Sequence, residues 1–290
     1  MIIKFNPILM DKIWGGDKLK KNYGYQASDK CGECWGISCH PNGLVTVQNS
    51  EYKGRTLKDL FDNEKHLFGD YPGKEFPILV KIVSAGDNLS IQVHPDNEYA
   101  KRENSLGKEE CWYILDAEKD TKIIIGHHAK TKEEFSNAIK DGSLENLCNE
   151  FSIKNGDYFY INTGKLHAIC AGTTLLEVQQ SSDITYRVYD YNRLQDGKPR
   201  PLHINQALDV TNIPDTELLT THKNTYFNYE ILENSTLSTY KSSRYGDYIF
   251  IIEGNGSFNR TPVQKGDFIM IPSNKEYKVY GNIKFQKTTF

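Results

Sequence analysis

Gln92 and His94 in SIQVHP, Glu109 and Glu110 in GKEECWYIL, and His167 in GKLHAI are the residues of this chain best suited to hold a divalent cation. Two imidazoles, a carboxylate and an amide oxygen suit Zn²⁺, and iron, manganese and cobalt use the same donors. Three strong protein ligands leave a position for water or substrate, as a catalytic site requires. Gln92 and His94 lie two apart on a predicted strand and so share one face. Spacing does not separate Glu109 from Glu110. Nor is it decisive for the set, because a histidine pair of this form is a weaker signal than paired CxxC motifs.

Strands must bring these side chains together. FPILVKIVSA, CWYILDAE, TKIIIG, DYFYINTG, TTLLEVQQ, ITYRVYDY, DYIFIIEGNGSF and DFIMIPS are rich in Val, Ile, Tyr and Phe and are separated by Gly, Asn and Asp turns. That pattern predicts a mainly β protein, a sandwich, jelly roll or barrel. Inside a barrel alternate residues face inward, so ligands from different strands can converge. Helical spacing marks RTLKDLFDNEKHLFG, with Thr56 three before Asp59. TKEEFSNAIKDG carries a capping box, Thr131 with Glu134, and a stop at Asp141–Gly142; SLENLCNEF is expected to follow as a second short helix. These two make 128–152 a helical insertion between strands.

The chain also repeats itself. NGDYFYINTGKLHAIC (155–170) and KGDFIMIPSNKEYKVY (265–280) align without gaps and place His167 opposite Tyr277. Duplicated β units follow, one working and one degenerate. The expected division is a catalytic domain over 1–205, with an N-terminal extension and the insertion, and a degenerate domain over 206–290.

Composition excludes several classes. With 290 residues, 38% hydrophobic and 25% charged, the chain can build a core without disulfides or a structural metal. A net charge of −3 with both signs interspersed gives no basic field for nucleic acid or anionic membrane. No run of eighteen apolar residues and no signal-peptide pattern occurs, so a soluble cytoplasmic protein is expected. Cys31, Cys34, Cys39 and His40 lack the second ligand pair of a zinc ribbon and read as incidental thiols. His127 and His128 are adjacent on a strand end, face opposite ways and cannot easily share one metal. IWGGDKLKKNYG lacks the GxxxxGK[ST] order of a nucleotide loop. Trp35 is expected in the core, whereas Trp14 and Trp112 could be packing or site wall.

SIQVHPDNEYA, GKEECWYIL, GKLHAICAG and YRVYDYNR, with GECWGIS before them, resemble the type I mannose-6-phosphate isomerases, in particular the short bacterial form. These motifs run in family order from residue 31 to 193. The resemblance implies two cupin-type (jelly-roll) β-barrels with a helical portion. It implies a zinc-dependent aldose–ketose isomerase with one Zn²⁺ per chain, acting on a small-molecule sugar phosphate; the residues themselves leave monomer and homodimer both open. On this likeness Gln92, His94, Glu110 and His167 match the zinc ligands, and Glu110 is chosen over Glu109. Arg187 matches an essential arginine, Lys108 an active-site lysine, and Glu177 a carboxylate assigned to proton transfer. Ser90 matches a serine near the substrate phosphate; by charge alone Lys108, Arg187 and, last among them, Arg193 are the cations expected beside it.

Overall fold

A computed structural model describes residues 1–221 and 226–290. Each strand predicted above is present, and no described helix is long and apolar enough to cross a membrane. The fold is mainly β, built of cupin-type barrels with a small helical portion.

The chain divides into two compact units, and neither is continuous. One comprises Met10–Glu33 and Val83–Lys223; the other comprises Met1–Leu9, Cys34–Ile82 and Asn224–Phe290. This differs from the expected segments 1–205 and 206–290. The reason lies in strand pairing: Ile3–Asn6 runs antiparallel to Phe268–Ile271, with Ile3 opposite Met270, so the N-terminus completes the C-terminal sheet.

In the unit containing residues 83–223, one sheet has the strand order Tyr186–Tyr189, Ile91–Val93, His167–Ile169, Lys122–His127, Cys148–Ser152. In another, Glu110–Ala117 lies between Tyr158–Ile161 and Thr173–Gln180. Helix Lys132–Asp141 forms as its caps require. Thr131 Oγ1 accepts from Glu134 N at 3.1 Å, and Gly142 closes the helix in the left-handed conformation. Phe135 turns its apolar side into the core behind the first sheet, and Ala138 is buried on the same helix. Thr56 likewise caps Leu57–Asn63 through Asp59 N.

The expected second helix in SLENLCNEF is a correction. Only Leu144–Leu147 coils, as one 3₁₀ turn, and Cys148–Ser152 is a strand paired with Lys122–His127. Ser143 supplies no side-chain cap, and four residues form too little helix to compete with an open sheet edge.

The internal repeat is visible bond by bond. Gly156 and Gly266 have φ of 90° and 91°, a region open to glycine, and their N–H groups donate to Ile114 O and Ile251 O at 2.8 and 2.9 Å. Asp157 and Asp267 each accept from the backbone N–H three residues before, Lys154 and Gln264. Ile161 then lies opposite Glu110, and Ile271 opposite Asp247. The second unit therefore has Asp247 where the first has Glu110, and Tyr277 where it has His167. Tyr277 donates its hydroxyl to Asp247 Oδ2 at 2.9 Å, while Asp247 Oδ1 accepts from Ser243 N at 2.8 Å. A phenol has thus replaced an imidazole, and the buried carboxylate is satisfied by protein donors.

Candidate metal centre and active site

Strand Ile91–Val93 owes its orientation to alternation. Ile91 and Val93 are fully buried and pack with Leu166, Ala168, Tyr186 and Val188 in one apolar cluster. The intervening residues must face the other way. Gln92 lies directly opposite His167 on one neighbouring strand and opposite Arg187 on the other. One row across three strands therefore presents Arg187, Gln92 and His167 on a single face, flanked along the central strand by Ser90 and His94. Pro95 ends the strand, and Asp96 caps the next turn by accepting from Tyr99 N at 2.8 Å.

The second wall comes from strands Glu110–Ala117 and Thr173–Gln180, where Glu177 sits opposite Trp112 and Gln179 opposite Glu110. His94, Glu110 and His167 are all buried, and their ligand atoms lie within 4.8 Å of one another. His94 Nε2 is 3.5 Å from Glu110 Oε2, and His167 Nε2 is 3.6 Å from Glu110 Oε1. Ligand atoms at the corners of a tetrahedral zinc site with bonds near 2.05 Å stand about 3.3 Å apart. The donors present therefore fit Zn²⁺ in kind; each imidazole faces a different oxygen of Glu110, and the set as a whole, within 4.8 Å, is wider than a closed tetrahedral site. Glu109 turns away and takes the hydroxyl of Tyr160. Gln92 directs its amide nitrogen toward His167 Nε2, 3.4 Å away, and its oxygen accepts from Ser90 Oγ at 3.1 Å. Turning the amide over would bring Oε1 to the histidine side and let Nε2 donate to Ser90.

Burial lowers the His167 pKa to about 4, so the ring is neutral near pH 7 and Nε2 keeps its lone pair. Its Nδ1 faces Lys165 O at 2.9 Å, and an acceptor carbonyl requires the proton to sit on Nδ1. Trp112 is the site wall: its indole N–H donates to Glu110 Oε1 at 3.0 Å, and its ring lies edge-on 5.4 Å from His167. It stands two residues beyond Glu110 on the same strand face, a signal present in the sequence. Trp14 and Trp35 are buried packing residues. His127 is buried with Nε2 3.0 Å from Asn212 O, whereas His128 is exposed, as opposite faces demand.

Lys108 connects the candidate ligands to Glu177. Its ammonium donates to Glu110 Oε2 and, at 3.0 Å, to Glu177 Oε1, and lies 3.2 Å from His94 Nε2. Each of these side chains is nearly inaccessible to solvent. Buried charges persist only when paired, and here one cation is shared by two carboxylates. A fixed ammonium beside a carboxylate can hold and move a proton and can stabilise an oxyanion.

Arg187 is half-buried beside this cluster, and its Nη1 donates to Pro201 O at 3.3 Å. Burial, and then the positive charge of Arg200, lower its pKa from the usual guanidinium value. Among the described residues, no hydrogen bond or ion pair of Arg193 reaches the cluster. It donates to Asp190 Oδ1 at 2.6 Å and to Asn88 O. Arg200, which sequence reasoning did not single out, shares that carboxylate through Oδ1 and Oδ2 at 2.5 and 2.8 Å. Its only sequence signal is a second arginine a few residues after Arg193, in GKPRPLH.

Asp190 thereby staples both ends of the exposed hairpin Leu194–Gln195/Lys198–Pro199. Burial alone would raise its pKa, but the hydrogen bonds from Arg200 and Arg193 outweigh that and lower it below 3.8. A lowered carboxylate pKa stabilises fully above the unfolded value, and that stability is lost as pH falls through the folded value. Asp190→Asn is expected to loosen the hairpin by about 1–3 kcal/mol, the range for hydrogen bonds to charged groups less solvent screening. Amide exchange over 191–202 should accelerate roughly tenfold or more at pH 7; unchanged exchange would refute the staple.

A mainly β fold of cupin-type barrels carrying a His–Glu–His cluster on inward faces defines the cupin class. Residues 2–126 match the family "Phosphomannose isomerase type I, catalytic domain". The mannose-6-phosphate isomerase ManA of Bacillus subtilis is 41% identical over 300 residues, which is 96% of this chain and 95% of that one. The mannose-6-phosphate isomerase of Streptococcus mutans is 49% identical over 205 residues, 70% of this chain and 65% of that one. The crystal structure of a mannose 6-phosphate isomerase from Bacillus subtilis superposes with a TM-score of 0.95 at 36% identity, covering 100% of this chain and 99% of that one. The chain belongs to the type I phosphomannose isomerases and is an isomerase.

Proposed function

We propose that this protein interconverts mannose 6-phosphate and fructose 6-phosphate in the cytoplasm, with one Zn²⁺ per chain, by proton transfer through a cis-enediolate. The observation that carries the reading is the juxtaposition of three buried donors within 4.8 Å with a buried ammonium–carboxylate pair. His94, Glu110 and His167 would hold the ion, with Gln92 as a fourth candidate. When bound, Zn²⁺ supplies Lewis acidity where negative charge develops on the C1 and C2 oxygens of the sugar.

The remaining chemistry falls to the chain's own groups. Glu177 offers the carboxylate that takes the proton from C2 and returns it at C1. Lys108 positions that carboxylate and adds positive charge where water is excluded, which is where such charge counts most. Arg187 lies in the same strand row as Gln92 and His167, with a guanidinium fork suited to an oxyanion or a phosphate. Ser90 adds a hydroxyl on the same face, and Arg193, held by Asp190, is the outermost phosphate candidate.

A coupled assay with mannose 6-phosphate, glucose 6-phosphate and ribose 5-phosphate tests the reading. Highest kcat/KM for mannose 6-phosphate is expected. Preferential turnover of another aldose phosphate would move the assignment to that substrate, and no turnover of any would refute it.

A further inference from the structure

The support of His167 extends beyond the carbonyl it touches. Lys165 O, which takes the proton of His167 Nδ1, and Leu166 N are the two ends of one peptide group. Leu166 N donates to Asp215 Oδ2 at 3.2 Å. A continuous chain therefore runs from the Asp215 carboxylate through the N–H and C=O of peptide 165–166 to the imidazole, ending at Nε2 among the candidate ligands. We propose that Asp215 is a positioning residue for His167, acting through this peptide as a carboxylate acts on a metal-binding histidine directly. The proposal rests on the reading that His167 is a ligand.

The geometry gives Asp215 little freedom. Its carboxylate is paired with the Lys165 ammonium, and both side chains are buried, 4% and 2% exposed. Lys165 Nζ also donates to Glu217 O at 2.8 Å. The Asp215 carbonyl accepts from His127 N at 2.7 Å, so the segment is bridged to the strand beside His167–Ile169. Close approach there depends on Gly126: a Cβ at that position would collide with Asp215 O.

The electrostatic consequence follows from amide polarisation. A carboxylate at the N–H end draws electron density toward the carbonyl oxygen, which becomes a better acceptor for Nδ1–H. That fixes the tautomer with Nε2 as the free nitrogen and raises its basicity as a ligand, as direct carboxylate partners do. The Lys165 ammonium holds the carboxylate in place, and without it a buried charge would stand unpaired. A buried Lys–Asp pair placed only for stability need not address the one peptide that orients a ligand.

The test uses the full chain. In metal-free wild-type protein, ¹⁵N resonances of the imidazoles should report His167 as the Nδ1–H tautomer. Asp215→Asn keeps the size and one acceptor oxygen but removes the charge. In the folded variant the His167 ¹⁵N shifts should move, and Zn²⁺ affinity measured against a competing chromophoric chelator should weaken about 10–100-fold. An Nε2–H tautomer in the wild type, or wild-type Zn²⁺ affinity in folded Asp215→Asn, would overturn the proposal. Should the variant fail to fold, the wild type still decides through the bond that defines the relay: a through-hydrogen-bond coupling from Leu166 N–H to the Asp215 carboxylate is expected, and its absence would overturn the proposal. Wild-type protein that binds no Zn²⁺ would sink the metal reading, while the ¹⁵N spectrum still judges the relay.

Discussion

His94→Ala and His167→Ala are each expected to lower turnover of mannose 6-phosphate about a thousandfold or more and to lose bound zinc. Each removes one of three strong donors from a buried cluster in which Glu110 stands 3.5 and 3.6 Å from the two imidazoles. Lewis-acid stabilisation of developing oxyanion charge contributes several kcal/mol, and each ~1.4 kcal/mol is a factor of ten in rate. The variants also leave cavities, so loss of fold must be separated from loss of metal. The control is the metal-free wild type. Added Zn²⁺ should restore the wild type and leave both variants inactive, although circular dichroism shows them folded. Full zinc occupancy in either folded variant would show that the histidine is not a ligand.

Glu177→Gln carries the second large effect, a loss of about 10²–10⁴ in kcat, the range for removing a positioned general base. The substitution is nearly isosteric, and the amide oxygen it introduces could still accept from Lys108, as Glu177 Oε1 does now at 3.0 Å. Zinc content should therefore be unchanged and KM should move little, because the interaction lost is one made in the transition state. An undiminished kcat would remove Glu177 from the reaction and shift the proton transfer to Lys108. Lys108→Ala is a poorer first test, since it strands two buried carboxylates without their cation and costs stability as well as rate.

Much of this is legible in the residues themselves. Period-two alternation in SIQVHP places Gln92 and His94 together, because Ile91 and Val93 must be buried on the other face. The gap-free echo of 155–170 in 265–280 anticipates two related units and the exchange of His167 for Tyr277. Long-range pairing is not legible. Nothing local in IIKF announces that it completes a sheet with FIMI, more than 260 residues away. Cys148–Ser152 reads as helix because a short amphipathic run fits both periods until an edge strand claims it. Glu109 and Glu110 cannot be told apart by spacing, since only the register against Ile161 and Gln179 turns one inward. Arg200 and Asp215 escape notice for the same reason: each acts through a partner distant in sequence or across a turn.

Isomerisation is expected to depend on a divalent cation held by His94, Glu110 and His167. The most direct test is turnover of mannose 6-phosphate by one preparation, with metal content measured alongside, before chelation, after chelation and after return of Zn²⁺. Activity should be proportional to bound zinc, reach its maximum at one ion per chain and fall at least about a thousandfold when the metal is removed. Full activity in metal-free protein would contradict it.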